Sequence, residues 1–116
     1  INKIIKIFKK NKYDSLTTVS KTTDHPYFIF KIIKKDKWKY LVDKNVNSLN
    51  TQDYPKNFYV ENGHIYLCKI NFLLKYRKFL VRNKTYLYKQ KENKLDIDTK
   101  EDFKICEFRI KNKILN

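Results

Sequence analysis

The chain has 116 residues, of which 41% are hydrophobic and 16% aromatic, and it carries a formal net charge of +15. This apolar content is enough to build one folded domain, which excludes an intrinsically disordered chain. No apolar run approaches the roughly 20 residues of a membrane-spanning helix, and no signal-peptide pattern is present, so we expect no contact with a membrane.

Helical spacing of apolar side chains opens the chain, which begins with Ile1 rather than Met. The predicted helix ends near Asn11, and because the chain starts inside it, we expect a part of a longer protein. A short strand rich in β-branched residues is predicted next, at 16–19. The apolar stripe of the helix consists of Ile1, Ile4, Ile5 and Phe8.

Two aromatic-rich strands are predicted at 27–33 and 38–42, and a turn at 34–37 would join them into a hairpin. Their aromatic side chains alternate at strand spacing, which favours a packed or dimer-forming sheet over a platform for stacking bases. Residues 43–56 are polar and are predicted to be irregular. The aromatic residues in question are Phe28, Phe30, Trp38 and Tyr40.

The only glycine of the chain, Gly63, lies in the dipeptide Asn62-Gly63. Asn-Gly usually marks a tight turn, and within the segment 58–69 we expect it to start or kink a strand at 64–68. A short helix with three consecutive large apolar residues is predicted to follow at 71–76.

Two further short strands are predicted at 85–88 and 95–98, and the last helix begins directly after the second one. Thr99 is a good N-cap for this helix, and Glu101 and Asp102 place negative charge in its first turn, where the helix dipole favours it. The apolar stripe of the helix is Phe103, Cys106 and Ile110.

The order of these elements is helix, strands, helix, strands, helix, which is an α/β pattern. A doubly wound sheet normally starts with a strand and a glycine-rich phosphate-binding loop. A chain with one glycine cannot contain that loop. We therefore predict an α/β fold with a mixed, Rossmann-like sheet that lacks its N-terminal strands, formed by residues 1–116 as part of a single domain.

The excess of basic residues raises the question of nucleic-acid binding. Of the 27 basic residues only three are arginines, and the other 24 are lysines spread along the whole chain. The arginine fork is the group that most favours phosphate binding. We therefore favour a solvated lysine surface and regard nucleic acid as an unlikely partner, with a small basic α/β nucleic-acid-binding module as the alternative.

The cysteines and histidines do not form a predicted catalytic or metal site. Cys68 and Cys106 lie far apart and outside any metal-ligand spacing, which indicates reduced thiols in a cytoplasmic protein. His25 precedes Pro26, which favours a turn residue over a catalytic base. His64 is predicted to pack, although its ring could reach a pocket beside Asn62-Gly63.

The sharpest local motif is the pair of carboxylates Asp96 and Asp98. In a strand, residues two apart point to the same face, so both would be presented together at the edge where α/β proteins bind ligands. Two oxygen ligands at such an edge suit Mg²⁺, which takes the rest of its shell from waters and phosphates. Taken alone, the motif favours the simpler interpretation, in which Asp98 helps to cap the helix and Asp96 is a surface acid.

A series of motifs along the chain resembles the acylneuraminate cytidylyltransferase (CMP-sialic acid synthetase) family in order and spacing. That family carries a Gln-x-Leu-Pro segment, an Asn-Gly-x-Ile-Tyr strand and an Ile-Asp-Ile-Asp-Thr segment followed by Asp-Phe. Asp-Ser and His-Pro segments near the start of this chain are also similar to the family. The matching residues are Asp14-Ser15, His25-Pro26, Gln52 with Pro55, Asn62-Gly63 with Ile65-Tyr66, and Asp96-Ile97-Asp98-Thr99 with Asp102-Phe103.

The resemblance implies an enzyme that transfers CMP from CTP to a nine-carbon 2-keto sugar acid and releases pyrophosphate. Asp96 and Asp98 match the catalytic, metal-binding aspartates of the family, with Mg²⁺ as the cofactor. Asn62 and Tyr66, with Gly63 between them, match residues of the sugar-acid pocket. Gln52 matches a position that approaches the sugar, often across a dimer interface.

The resemblance also implies a homodimer, in which residues 27–56 would form the dimerisation arm. It does not extend to the CTP-binding loop, so the chain alone is expected to be inactive, and a degenerate remnant without activity is a further alternative. Two arginines that would hold the sugar carboxylate are replaced, one of them by Thr51, and Lys56 is a poor substitute. These departures leave the particular sugar acid open.

Overall fold

A computed structural model describes residues 1–42, 52, 54–91 and 96–113 of the chain. Within these residues the chain forms three α-helices, five β-strands and a 3-10 turn that lies between the first two strands. The elements are α1 (Asn2–Lys10), β1 (Ser15–Lys21), the 3-10 turn (Pro26–Phe28), β2 (Phe30–Lys34), β3 (Lys37–Tyr40), β4 (Tyr59–Cys68), α2 (Ile70–Tyr76), β5 (Thr85–Gln90) and α3 (Lys100–Lys111).

The main sheet has three strands in the order β4-β1-β5, with β1 at its centre. Strand β1 runs parallel to β5 and antiparallel to β4. This mixture of parallel and antiparallel pairing, with helices between the strands, confirms the predicted α/β class with a mixed sheet. Within the described residues, no helix is long and apolar enough to cross a membrane.

The core lies along β1, where every residue from Ser15 through Ser20 is buried. Helix α1 contributes Ile4 to this core and α2 contributes Phe72. Half of the buried residues in the described part of the chain are polar, so hydrogen bonds provide much of the stabilising contact in the core. The buried apolar residues are Ile4, Leu16, Val19, Tyr54 and Phe72, and the buried polar ones are Ser15, Thr17, Thr18, Ser20 and Asn62.

A wide bulge interrupts the pairing of β4 with β1. Between the pairs Thr17–Tyr66 and Val19–Glu61, β1 carries Thr18 alone whereas β4 carries residues 62–65. Gly63 lies in this bulge with φ of 71°, a backbone region that favours glycine. The predicted kink at Asn-Gly is therefore confirmed, although the strand begins before it rather than after it.

The hairpin of β2 and β3 has two chemically distinct faces. On one face the Phe30, Trp38 and Tyr40 rings pack against each other, with centroids 5.1 to 5.3 Å apart. On the other face Lys31 lies directly opposite Lys39. The substantial contacts between described elements are those within the two sheets, so the aromatic face of the hairpin is exposed.

The chain leaves β1 towards the hairpin and returns to β4 at one place, where His25 lies close to Tyr54, Pro55 and Phe58. We call these four residues the neck. The His25 ring lies 5.4 Å from the Tyr54 ring and 5.0 Å from the Phe58 ring, centroid to centroid. Its Nε2 lies 2.7 Å from the Pro55 carbonyl oxygen, and the Thr22 N–H donates to the Phe58 carbonyl. These contacts hold the two ends of the segment together.

Two predicted strands differ from the structure. The strand predicted at 27–33 begins only at Phe30, because His25 caps the 3-10 turn and Pro26 occupies its first position, where its fixed φ is suited. The strand predicted at 95–98 is wrong for residues 96–98, which belong to no strand. Position 95, like residues 43–51 of the predicted irregular segment, lies outside the described residues.

The start of α3 explains why residues 96–98 do not pair. The Asp102 carboxylate accepts the backbone N–H groups of Asp98 and Thr99, at 3.2 and 2.9 Å, while the Thr99 hydroxyl accepts the Asp102 N–H. This capping box confirms Thr99 as the N-cap. It also uses the backbone N–H groups of Asp98 and Thr99, which are then not available to pair with a strand. None of the residues of α3 is buried, including its predicted apolar stripe.

Candidate functional site

The parallel strands β1 and β5 end side by side, where Ser20 is paired with Gln90. In α/β sheets, ligands bind beyond the carboxyl ends of the parallel strands. The bulge of β4 brings Asn62 and His64 to the same region, because both contact Gln90. This end of the sheet, defined by Ser20, Asn62, His64 and Gln90, is the candidate site.

Asn62 is the centre of the site and is fully buried. Its Oδ1 accepts the hydroxyl of Thr18 at 2.6 Å and the backbone N–H of His64 at 3.1 Å. Its Nδ2 donates to Ser20 Oγ at 2.9 Å and to Gln90 Oε1 at 2.8 Å. All four hydrogen-bonding positions of the amide are thus used within the protein, which gives Asn62 a structural role, while its substrate contact stays a prediction.

A basic cleft of about 620 Å³ adjoins this end of β5. It lies between the start of α1 and the end of β5, and Gln90 is part of its wall. The described residues that line it include Lys3, Lys89 and Lys91 and no carboxylate side chain. Such a cleft attracts an anionic ligand through the summed positive charge of its walls.

Asp96 and Asp98 lie exposed in the segment just before α3. Hydrogen bonds from Thr99, first from its hydroxyl and then from its backbone N–H, hold the pKa of the neighbouring Asp102 below its ordinary value. Among the described residues, no group of three or more Asp, Glu, His or Cys side chains could hold a metal ion. Two exposed carboxylates two residues apart nevertheless fit a cation that takes most of its ligands from water and phosphate.

The remaining predicted site residues lie at different depths. Gly63 lies in the bulge and is exposed, and Gln52 is exposed at the edge of the described part of the chain. The Tyr66 hydroxyl donates to Glu61 Oε2 at 3.1 Å, and its ring packs 5.3 Å from that of Phe79. The structure therefore gathers Asn62 and Gly63 at the bulge, with Tyr66 further along the same strand.

A larger cleft, of about 870 Å³, lies at the opposite end of β1. It is lined by residues around Asp14 and α2 and contains none of the predicted site residues. The Lys69 ammonium in its wall is already paired with Asp14 at 3.0 Å. Among the residues that the structure describes, neither cleft is lined by a predicted site residue. We place the candidate site at the smaller cleft because Gln90 in its wall is hydrogen-bonded to Asn62, at the carboxyl ends of the parallel strands.

The sequence did not indicate Gln90 as a member of the site, and it favoured packing over a pocket contact for His64. Gln90 stands 26 positions from His64 and lies on β5, which β1 separates from β4, so no local pattern predicts their contact. The signal that could have found His64 was the preceding Asn-Gly pair, because a bulge turns the residues beside it out of the regular ladder.

The fold and the site define a small α/β domain with a mixed sheet and a basic cleft at the carboxyl ends of its parallel strands. No protein-family model matches the chain. The chain is 33% identical, over 115 residues, to a protein of Campylobacter coli described as post-translational flagellin modification protein B. The match covers 99% of this chain and 48% of that protein, so the chain spans about half the length of the curated relative it matches.

Proposed function

We propose that this chain is part of a nucleotidyltransferase that transfers CMP from CTP to a nine-carbon 2-keto sugar acid, with release of pyrophosphate. The observation that carries the proposal is the 33% identity to the flagellin modification protein, which extends over nearly the whole chain. Transfer of a sugar group onto a protein requires an activated donor, and a nucleotide-linked sugar acid is one. The ordered motifs from Asp14 to Asp102 support the same reaction class.

The basic cleft supports anionic substrates. Both the triphosphate and the sugar acid are negatively charged, so their approach to each other is opposed by repulsion. Lys3, Lys89 and Lys91 would offset that repulsion at the carboxyl ends of β1 and β5. In this proposal the lysines attract the substrates, and the rigid network around Asn62 fixes the geometry of the site floor.

Asp96 and Asp98 would hold Mg²⁺ in the complete enzyme. Their exposed carboxylates supply hard oxygen ligands and leave the remaining positions to waters and phosphate oxygens. When bound, the ion would neutralise the charge of the triphosphate and orient it for attack. Tyr66 and Gln52 are assigned to the sugar acid, and the capping box at Thr99 keeps the two aspartates at the head of α3.

The experiment joins the chain to the N-terminal half of the Campylobacter coli relative and measures pyrophosphate release. We expect release with CTP, not with ATP, GTP or UTP, in the presence of one member of a panel of 2-keto sugar acids. Asp98→Asn should abolish it, whereas Asp36→Asn, at the exposed hairpin turn, should not. An unchanged rate in Asp98→Asn would remove the assigned metal role, and no release with any sugar acid would refute the reaction.

We further propose that the enzyme is a homodimer whose contact includes the aromatic face of the hairpin, within residues 27–56. Phe30 and Trp38 are about half exposed, which is an unusual cost for large aromatic side chains unless another surface covers them. Sedimentation of the chain should give twice the monomer mass. The double variant Phe30→Ser, Trp38→Ser should sediment as a monomer, and a monomeric unaltered chain would contradict the proposal.

The same hairpin supports a second candidate, a nucleic-acid-binding module, because it combines exposed aromatic rings with lysines. Gel-shift titration against single-stranded and duplex DNA and RNA at two salt concentrations separates the candidates. Tight binding that weakens steeply with salt and needs no divalent cation would favour this candidate. Weak binding, with no dependence on Trp38 or Tyr40, would exclude it.

A further inference from the structure

The hydrogen bonds around Asn62 determine which nitrogen of His64 carries a proton. The His64 backbone N–H can only donate, so the Asn62 atom that it contacts at 3.1 Å must be the oxygen. The other Asn62 atom is therefore Nδ2, which donates to Gln90, so the contacted atom of Gln90 is its oxygen, Oε1. His64 Nδ1 lies 2.9 Å from that same oxygen and must donate to it.

The neutral His64 ring consequently carries its proton on Nδ1 and a lone pair on Nε2. The side chain is exposed, and among the described residues no hydrogen bond to Nε2 is found. Nε2 is thus a proton acceptor that faces solvent, and the hydrogen bond from Nδ1 to Gln90 fixes the orientation of the ring. The arrangement has the form of a base oriented by a third group, with Gln90 as the positioning residue.

The other histidine of the chain has the opposite arrangement and provides an internal comparison. His25 Nδ1 accepts the backbone N–H of Tyr27 at 3.1 Å, so its Nε2 carries the proton and donates to the Pro55 carbonyl at 2.7 Å. Both nitrogens are therefore used within the fold. With respect to the described residues, only His64 of the two histidines has a ring nitrogen lone pair that is open to solvent.

We infer that His64 is the general base of the transfer reaction, an inference that rests on the proposed function. His64 lies between the predicted sugar-acid residues Gly63 and Tyr66 and is held by Gln90, which also lines the basic cleft. Nε2 takes the proton of the attacking sugar hydroxyl, and the hydroxyl oxygen forms a bond to the α-phosphorus. The bond from that phosphorus to the pyrophosphate oxygen breaks, and its electron pair leaves with pyrophosphate.

The first test uses the chain itself and does not depend on activity. Long-range ¹H–¹⁵N spectra of the two imidazole rings should show the neutral form of His64 protonated at Nδ1 and that of His25 at Nε2. Gln90→Leu should shift His64 toward the other tautomer and leave His25 unchanged. Diethyl pyrocarbonate should acylate His64 severalfold faster than His25. A proton on Nε2 of His64, or equal acylation of the two rings, would overturn the inference.

The second test uses the fusion described above. His64→Ala should lower kcat by roughly 100-fold or more with little change in KM, since proton transfer to a positioned base contributes about that factor. Added imidazole should restore part of kcat. His64→Asn, which can still donate to Gln90, should lose the same activity while keeping the fold. Full kcat in either variant would refute the role of His64.

The two proposals fail in distinguishable ways. If the unaltered fusion releases no pyrophosphate with any sugar acid, the transfer reaction is refuted and the base role falls with it, while the spectra still decide whether His64 is an available base. If the fusion is active and His64→Asn retains full kcat, only the inference about His64 is refuted.

Discussion

The hydroxyl of Thr18 lies 2.6 Å from Oδ1 of Asn62, at the point where one residue of β1 faces four residues of β4. The same hydroxyl accepts the backbone N–H of Ile65 at 3.0 Å, so the Thr18 side chain contacts both the first and the last residue of the bulge. Because Asn62 also contacts Ser20 and Gln90, this pair links all three strands of the sheet. Ser20, Asn62 and Gln90 therefore belong both to the network that joins the strands and to the candidate site.

Asn62→Ala should be among the most destabilising substitutions in the sheet. It removes four hydrogen bonds, two of which join Asn62 to the buried Thr18 and Ser20 of β1. We expect a loss of roughly 2–4 kcal/mol in the free energy of unfolding, measured by urea denaturation with circular dichroism. Asn57→Ala, at an exposed position, is the control and should change stability by less than about 0.5 kcal/mol. Equal effects of the two substitutions would contradict the network described here.

Two neighbouring threonines should respond in opposite directions to the same substitution. Thr17 and Thr18 are both fully buried, but the Thr17 hydroxyl has no hydrogen-bond partner within the described residues. Thr17→Val removes an unsatisfied group and should raise the free energy of unfolding by about 1 kcal/mol. Thr18→Val leaves Ile65 N–H unpaired and should lower it by roughly 2 kcal/mol. Urea midpoints of the two variants measure the difference, and a shift in the same direction would be inconsistent with the contacts.

Acid should weaken the start of α3 through Asp102. Hydrogen bonds from Thr99 lower the pKa of Asp102 from the ordinary value of 3.8. A carboxyl whose pKa is lowered by folding contributes stability that is full above its unfolded value and is lost as pH falls through the lower folded value. The helical signal at 222 nm should therefore decrease below pH 3.8, and Asp102→Asn should remove much of that dependence. Glu101→Gln, in the same turn but outside the capping box, should retain it.

Reversing one charge on the lysine face should strengthen the hairpin. Lys31 and Lys39 lie directly opposite each other, and like charges at such positions repel. Lys31→Glu should raise hairpin stability by about 0.2–1 kcal/mol. The fluorescence of Trp38, the only tryptophan, reports the local transition during heating. Lys35→Glu, in the turn, changes the net charge equally and should have a smaller effect, so equal shifts would show that the pair itself is unimportant.

Elements with a strong local signal were predicted well from sequence. The apolar stripe of α1 and the N-cap at Thr99 act through local contacts, and the β-branched run indicated β1 although the partners of that strand, β4 and β5, are distant in sequence. The hairpin also formed as predicted, because its alternating aromatic residues pack within the hairpin itself. Local patterns suffice where the stabilising contacts are local.

The alternation of side chains along the sequence could not predict which face of the sheet each residue of β4 occupies. Glu61 and Tyr66 are an odd number of positions apart, which in a regular strand places them on opposite faces. The three extra residues of the bulge bring both to one face, where the Tyr66 hydroxyl donates to Glu61. The strand predicted at 95–98 failed for a related reason, because a capping carboxylate took the backbone N–H groups that a strand would have needed.

The candidate site was only partly predictable. The motif at Asn62 lies in the candidate site, but the hydrogen-bond partners of Asn62 come from β1 and β5 through long-range pairing. His64 was predicted to pack, and its orientation by Gln90 depends on a contact across 26 positions that no local pattern encodes. The placement of Asp96 and Asp98 in a metal site stays a prediction, since their ligand set depends on groups that only a bound substrate would supply.

The neck at His25 and Pro55 has a consequence for how related proteins could diverge. Thr22 and Phe58 lie at one place on the sheet, where a backbone hydrogen bond joins them. A change in the length or sequence of the hairpin should therefore leave the strand order β4-β1-β5 unaltered. Such an arrangement would allow the hairpin to vary among relatives while the three-stranded sheet is retained.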